Sequence, residues 1–174
     1  VSHRSLVEDL RGHTYTKPYS YMSEYLPRMK SALYRAVAPK AEPPLVIAAL
    51  HPKMLALTAR EAHGTHTAFC LPEHTKRARE VMGPEAWVCP SVMAILERDA
   101  TKARARARRH LSFYANQENY QRIFLAQGFT RADFENGCSD HLIDTVIAWG
   151  SEEHIRERAE MPAVFGAGVV KAPV

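Results

Sequence analysis

LVIAALHPKMLALTAREAHGTHTAFCLPEHTKRAREVMGPEAWVCPSVMAILE, residues 45–97, decides the fold. LVIAAL (45–50) is a short continuous apolar run with the length and branching of a strand buried on both faces. Pro52 stands at a helix start, KMLALTAREA (53–62) carries the helix on, and Gly64 ends it. THTAFCL (65–71) reads as a second strand, and Pro72 and Glu73 open a helix that Gly83 and Pro84 stop. WVCPSVMAILE (87–97) reads as a third strand, with Pro90 near its beginning, where a strand tolerates it. Strand and helix in strict alternation predict an α/β fold with parallel strands and right-handed crossovers. A repeat of roughly 20 residues suits the units of a TIM barrel or an open doubly wound sheet. No dinucleotide fingerprint follows any strand, which favours the barrel-type units.

Outward from this stretch, residues 17–37 read as a helix with Tyr21, Met22, Tyr25, Leu26, Met29 and Leu33 on one broad face, and the proline-rich APKAEPP (38–44) ends it. Downstream, Asp99 caps a long helix. Helical segments are expected near 116–127, 130–135 and 139–149, then a short helix from Ser151 and a fourth strand in GVVKAPV (168–174). The pattern reads as one domain over 1–174: a leading helix and linker in 1–44, then βα units in 45–174.

The 174 residues are 46% hydrophobic and 24% charged, which excludes a disordered chain, a collagen-like one or a disulfide-stapled miniprotein. No apolar run reaches the ~18 residues of a membrane helix, and VSHRSLVEDL is not a basic-then-apolar leader. A soluble, cytoplasmic protein is expected, with a small-molecule substrate and neither membrane nor nucleic acid as partner. Arg98, Lys102, Arg104, Arg106, Arg108 and Arg109 against Asp99 alone account for more than the net charge of +4, so the basic character is one local run. Within it Ala103, Ala107, Leu111 and Tyr114 form a narrow apolar stripe, the pattern of a solvated outer helix rather than a nucleic-acid reader. Cys70, Cys89 and Cys138 fit no zinc spacing and read as free thiols.

In parallel α/β folds chemistry gathers at the carboxyl ends of strands, here Ala49, Leu50 and His51, then Cys70 and Leu71, then Leu96 and Glu97. At the turn LHPK the free amides of a helix start and the ammonium of Lys53 would favour an anion such as a phosphate. His63, His66 and Cys70 invite a metal reading, but Gly64 separates the histidines and ~13 Å of strand separates His66 from Cys70, so no metal site is expected.

Read in order, PPLVIAALHPKMLALTAREAHGTHTAFCLPEHTKRAREVMGP (43–84) resembles the second half of the bacterial luciferase-like family of flavin-dependent monooxygenases and deazaflavin-dependent oxidoreductases. NYQRIFLAQGF (119–129), GCSDHLIDTVIAWGSEEHI (137–155) and the opening VSHRSLVEDLRGHTYTKPYSYMSEYL are similar to its deazaflavin branch. The resemblance implies a TIM barrel with the cofactor, deazaflavin F420 or alternatively FMN, across the carboxyl-end rim, and hydride transfer or monooxygenation of a small organic substrate. Val1, Ser2 and His3 match the end of the family's fourth strand, which meets the cofactor. Ala48, Ala49, Leu50 and His51 match the fifth-strand rim, with His51 where the family usually has glycine, and His3 and His51 are the acid–base candidates. Family members run to roughly twice this length, so the chain is expected to hold strands five to eight, as a fragment or truncated product. A homodimer would then cover its strand edges. The second expectation is a family member without catalysis, serving as a binding or oligomerising module.

Overall fold

A computed structural model describes residues 3–135 and 137–164. A π-helical turn at Leu6–Leu10 precedes α1 (Pro18–Lys30), then β1 (Val46–Ala48), α2 (Pro52–Glu61), β2 (Gly64–Ala68), α3 (Pro72–Met82) and β3 (Trp87–Ser91). There follow β4 (Met93–Leu96), α4 (Ala100–Ala115), α5 (Glu118–Ala126), α6 (Asp140–Val146), β5 (Ile147–Gly150) and α7 (Glu152–Val164). Every strand pair is parallel: β1-β2-β3 form one open sheet and β4-β5 a second. The fold is therefore the mixed α/β of parallel strands alternating with helices that the 45–97 pattern predicts.

Register decides which side chains share a face. Ile47 lies beside Thr65, and Thr65 beside Val88. All three are buried, and the Thr65 hydroxyl donates to the Ile47 carbonyl at 3.1 Å. Their side of the sheet packs on α2 and α3 through Leu55, Leu57, Ala78 and Met82. The larger core lies across the molecule, where Leu111, Tyr120, Ile123, Phe124, Leu142, Ile143 and Ile147 join α4, α5, α6 and β5.

Several expectations need correction. β1 is not buried on both faces: Ile47 is buried but Val46 and Ala48 are exposed, because the second face borders a cavity. The third strand is two strands split at Val92. Pro90 lacks an amide donor, which a sheet accommodates at its edge, so this stretch closes the first sheet and then enters the second. The helix expected over 139–149 stops at Val146, and β5 follows with no turn residue between. The leading helix ends at Lys30 rather than 37. The strand expected at 168–174 lies outside the described residues.

The arginine helix α4 buries its Ala103, Ala107 and Leu111 stripe. Arg104 forks onto Asp144 (Nε to Oδ1 3.0 Å, Nη2 to Oδ2 2.6 Å) and its guanidinium lies 5.6 Å from the Trp149 ring. The Trp149 indole donates to the same carboxylate at 2.8 Å, and the Arg104 bonds hold the Asp144 pKa below the ordinary carboxylate range. Arg108 pairs with Asp140 and donates to the Cys138 carbonyl at 3.0 Å. Much of the basic run thus stitches α4 to α6 and β5.

Gly64 sets the approach of β2 to β3: a Cβ there would meet the Trp87 carbonyl oxygen at 2.5 Å and its Cβ at 2.6 Å. Gly64→Ala should therefore lower unfolding stability by about 1–3 kcal/mol in urea titrations, the usual cost of overpacking. An unchanged midpoint would contradict this register.

Candidate functional site

Even-numbered positions on β1 and β2 face away from α2 and α3, a consequence of the period of two. Ala48, His66 and Ala68 consequently line one wall of a cavity of about 370 Å³, continued by Ser91 and Met93. Leu50, His51 and Met54 form its rim at the carboxyl end of β1, and Tyr114, Asn119, Tyr120 and Arg122 close it from α4 and α5. His3, Tyr15 and Pro18 complete it. Tyr15 and Pro18 also wall a second cavity of about 520 Å³, lined by Tyr21, Met22 and Tyr25 of α1.

Asn119 is the hub. Its backbone carbonyl accepts from His51 Nε2 at 3.1 Å, and its side chain hydrogen-bonds His3. Since a carbonyl only accepts, His51 must carry its proton on Nε2. Burial lowers the pKa of both histidines, favouring neutral rings. The His3 ring sits 5.7 Å from both Tyr114 and Tyr120 and edge-on to Phe113, and its Nδ1 is buried without a hydrogen-bond partner. Beneath the rim, buried His74 donates from Nε2 to the Leu50 carbonyl at 2.7 Å, tying the start of α3 to the end of β1. Burial lowers its pKa as well.

At the end of β2 the backbone turns sharply. Phe69 has φ 55°, the left-handed region that a bulky residue enters at a cost of order 1–3 kcal/mol. Its ring packs 4.8 Å from Tyr114 and 5.5 Å from Tyr120. Gln127 spans the turn: its carboxamide oxygen accepts from Leu71 N–H at 2.6 Å, and its NH₂ donates to the Phe69 carbonyl at 3.2 Å. The Cys70 thiol donates to the Ala68 carbonyl at 3.4 Å, and burial pushes it up to about 12.

The structure brings His3, Ala48, Leu50 and His51 to one cavity. Ala49 points the other way, into the core under α2 and α3, and Lys53 is exposed on the first turn of α2 and does not line the cavity. Val1 and Ser2 lie outside the described residues. Of the metal-type cluster, His63 accepts the Leu45 amide at 2.9 Å, His66 faces the cavity and Cys70 is turned into the fold. No group of three such ligands meets among the described residues. Sequence reasoning missed Asn119, Tyr120, Arg122 and Phe69. The one available signal was NYQR (119–122), a polar and aromatic cluster following directly on the arginine helix. No helix among the described residues is long and apolar enough to cross a membrane.

A family model described as luciferase-like monooxygenase matches residues 4–169. No curated protein matches the chain.

His74 allows a test of the rim. Its folded pKa lies below the ordinary 6.5, so the unfolded chain binds the proton more tightly. Stability is then fully present above about 6.5 and falls as pH drops toward the folded value, with His3 and His51 adding in the same sense. The urea midpoint should fall between pH 7.5 and 5, and His74→Gln, which keeps a donor for the Leu50 carbonyl, should flatten that slope. An equal slope in the variant would contradict the assignment.

Proposed function

The chain belongs to the luciferase-like monooxygenase family, and from that membership we propose that it is an oxidoreductase whose cavity binds a deazaflavin or FMN beside a small organic substrate. The observation that carries this reading is the cavity itself, of a size and largely aromatic and apolar lining suited to a flat ring, with His3 and His51 among its few polar groups. Such a ring needs two apolar faces and few polar groups. Tyr114, Tyr120 and Phe69 supply one wall, Ala48, Leu50 and Met93 the other, and the imidazoles of His3 and His51 are among the few polar groups. When bound, the cofactor supplies the hydride chemistry, and the protein positions it.

The chain's own groups then have distinct tasks. Neutral His3 meets a polar edge of the ring, and Asn119 fixes the orientation of both histidines. His51, neutral and at the rim, holds or passes a proton at the substrate. Arg122, exposed at the cavity mouth, and Lys53, on the next helix, offer positive charge to an anionic cofactor tail. Tyr114 and Tyr120 exclude water from the ring face. The burial that pushes the Tyr120 phenol up to about 12 keeps that wall uncharged.

Titration of the full chain with FMN and with deazaflavin, read by cofactor fluorescence, tests this. At least one should bind with a Kd in the micromolar range, and Asn119→Ala should weaken it about tenfold through loss of the His3 bond. No saturable binding of either at about 100 μM would overturn the proposal.

A further inference from the structure

Phe69 stands on the wrong side of its strand. On β2 the odd-numbered Thr65 and Thr67 are buried toward α2 and α3, whereas His66 and Ala68 line the cavity. A strand continuing in extended conformation would send residue 69 with the threonines and residue 70 to the cavity. The structure has the reverse: the Phe69 ring lines the cavity and Cys70 does not. The inversion is made by the positive φ of Phe69, the only such aromatic residue described.

A left-handed Phe persists only where neighbours over-determine it. The carboxamide of Gln127 is the group that grips both sides of the turn, accepting from Leu71 and donating to Phe69. It occupies both backbone groups much as a paired strand would, although β2 has ended. Its own position is fixed by the end of α5: the Gln127 amide donates to the Ile123 and Phe124 carbonyls, and Gly128 follows at φ 94°. The side chain is therefore delivered by a helix terminus fifty-six residues downstream of the amide it accepts from.

We infer that Gln127 is a positioning residue that selects which of two side chains, Phe69 or Cys70, faces the cavity. It does not line the cavity itself and acts through Phe69, whose ring then packs tilted against Tyr114 and edge-on to Tyr120 to form the aromatic wall. Releasing the clamp frees the turn to relax to extended backbone, which withdraws the ring and turns the thiol outward. The effect on the cofactor rests on the function proposed above; the effect on the turn does not.

Two readouts separate them. In the ligand-free chain, alkylation by iodoacetamide with site-by-site mass spectrometry should find Cys70 slow in the wild type, as its buried, protonated thiol requires. In Gln127→Ala, Cys70 should label roughly tenfold faster, with Cys89 and Cys138 unchanged. Gln127→Glu keeps the acceptor for Leu71 but loses the donor to Phe69, and should fall between the two. Unchanged Cys70 labelling overturns the inference, as does an equal rise at all three cysteines, which marks general loosening. With FMN as probe, Gln127→Ala should weaken binding about tenfold, and Gln127→Ala/Phe69→Ala no further than Phe69→Ala alone. Additive losses overturn the claim that Gln127 acts through Phe69. Should the wild type bind no FMN, the cofactor reading fails and the labelling result alone decides the clamp.

Discussion

The hydrogen bond from His51 Nε2 to the Asn119 carbonyl, 3.1 Å long, spans sixty-eight residues of chain and joins the two halves of the structure. On one side of it lies the sheet β1-β2-β3 with its helices, on the other the core built by α4, α5, α6 and β5. The larger core also takes in Phe69 at the end of β2, with Leu50 and Leu71 packed against it, and the cavity lies beside this junction. Asn119 adds the side-chain bond to His3, so one residue fixes two imidazoles that burial keeps neutral. Truncating its side chain would release His3, while the backbone carbonyl would still hold His51.

The same division explains what the sequence could and could not reveal. Strand and helix order over 45–97 was legible because Pro and Gly mark each helix start and stop, and those signals are local. β5 was not, since Ile147 and Ala148 continue the apolar pattern of α6 and only the pairing with β4 makes them a strand. Among the cavity-lining residues, Leu50 and His51 were legible from the rule that function gathers where strands end, and Ala48 from the family resemblance. Ala49 and Lys53 share that stretch yet turn elsewhere, because alternation along β1 and the pitch of α2 set direction residue by residue. Asn119, Tyr120 and Phe69 enter the cavity through long-range contacts that no local pattern encodes.

The charge of the chain has a related lesson. A run of arginines looks like a surface awaiting an anion, but Arg104 and Arg108 are committed to Asp144, Asp140 and the Cys138 carbonyl. Pairing with planar carboxylates at two points makes arginine a better joint between helices than lysine would be. Near the cavity, Arg122 in its lining pairs at 3.8 Å with exposed Glu118, and Lys53 stands on the first turn of α2, both exposed, where charge attracts a ligand without a desolvation cost.

The central claim is that a flat cofactor lies against the carboxyl ends of β1 and β2, between His3, Asn119 and the Phe69–Tyr114–Tyr120 wall. Hydrogen exchange of the full chain, followed peptide by peptide with and without saturating FMN or deazaflavin, tests it most directly. The account predicts slower exchange in residues 48–51, 66–71 and 114–122, with α7 and the amino ends of the strands unaffected. Protection confined to other segments, or spread evenly over the chain, would contradict it.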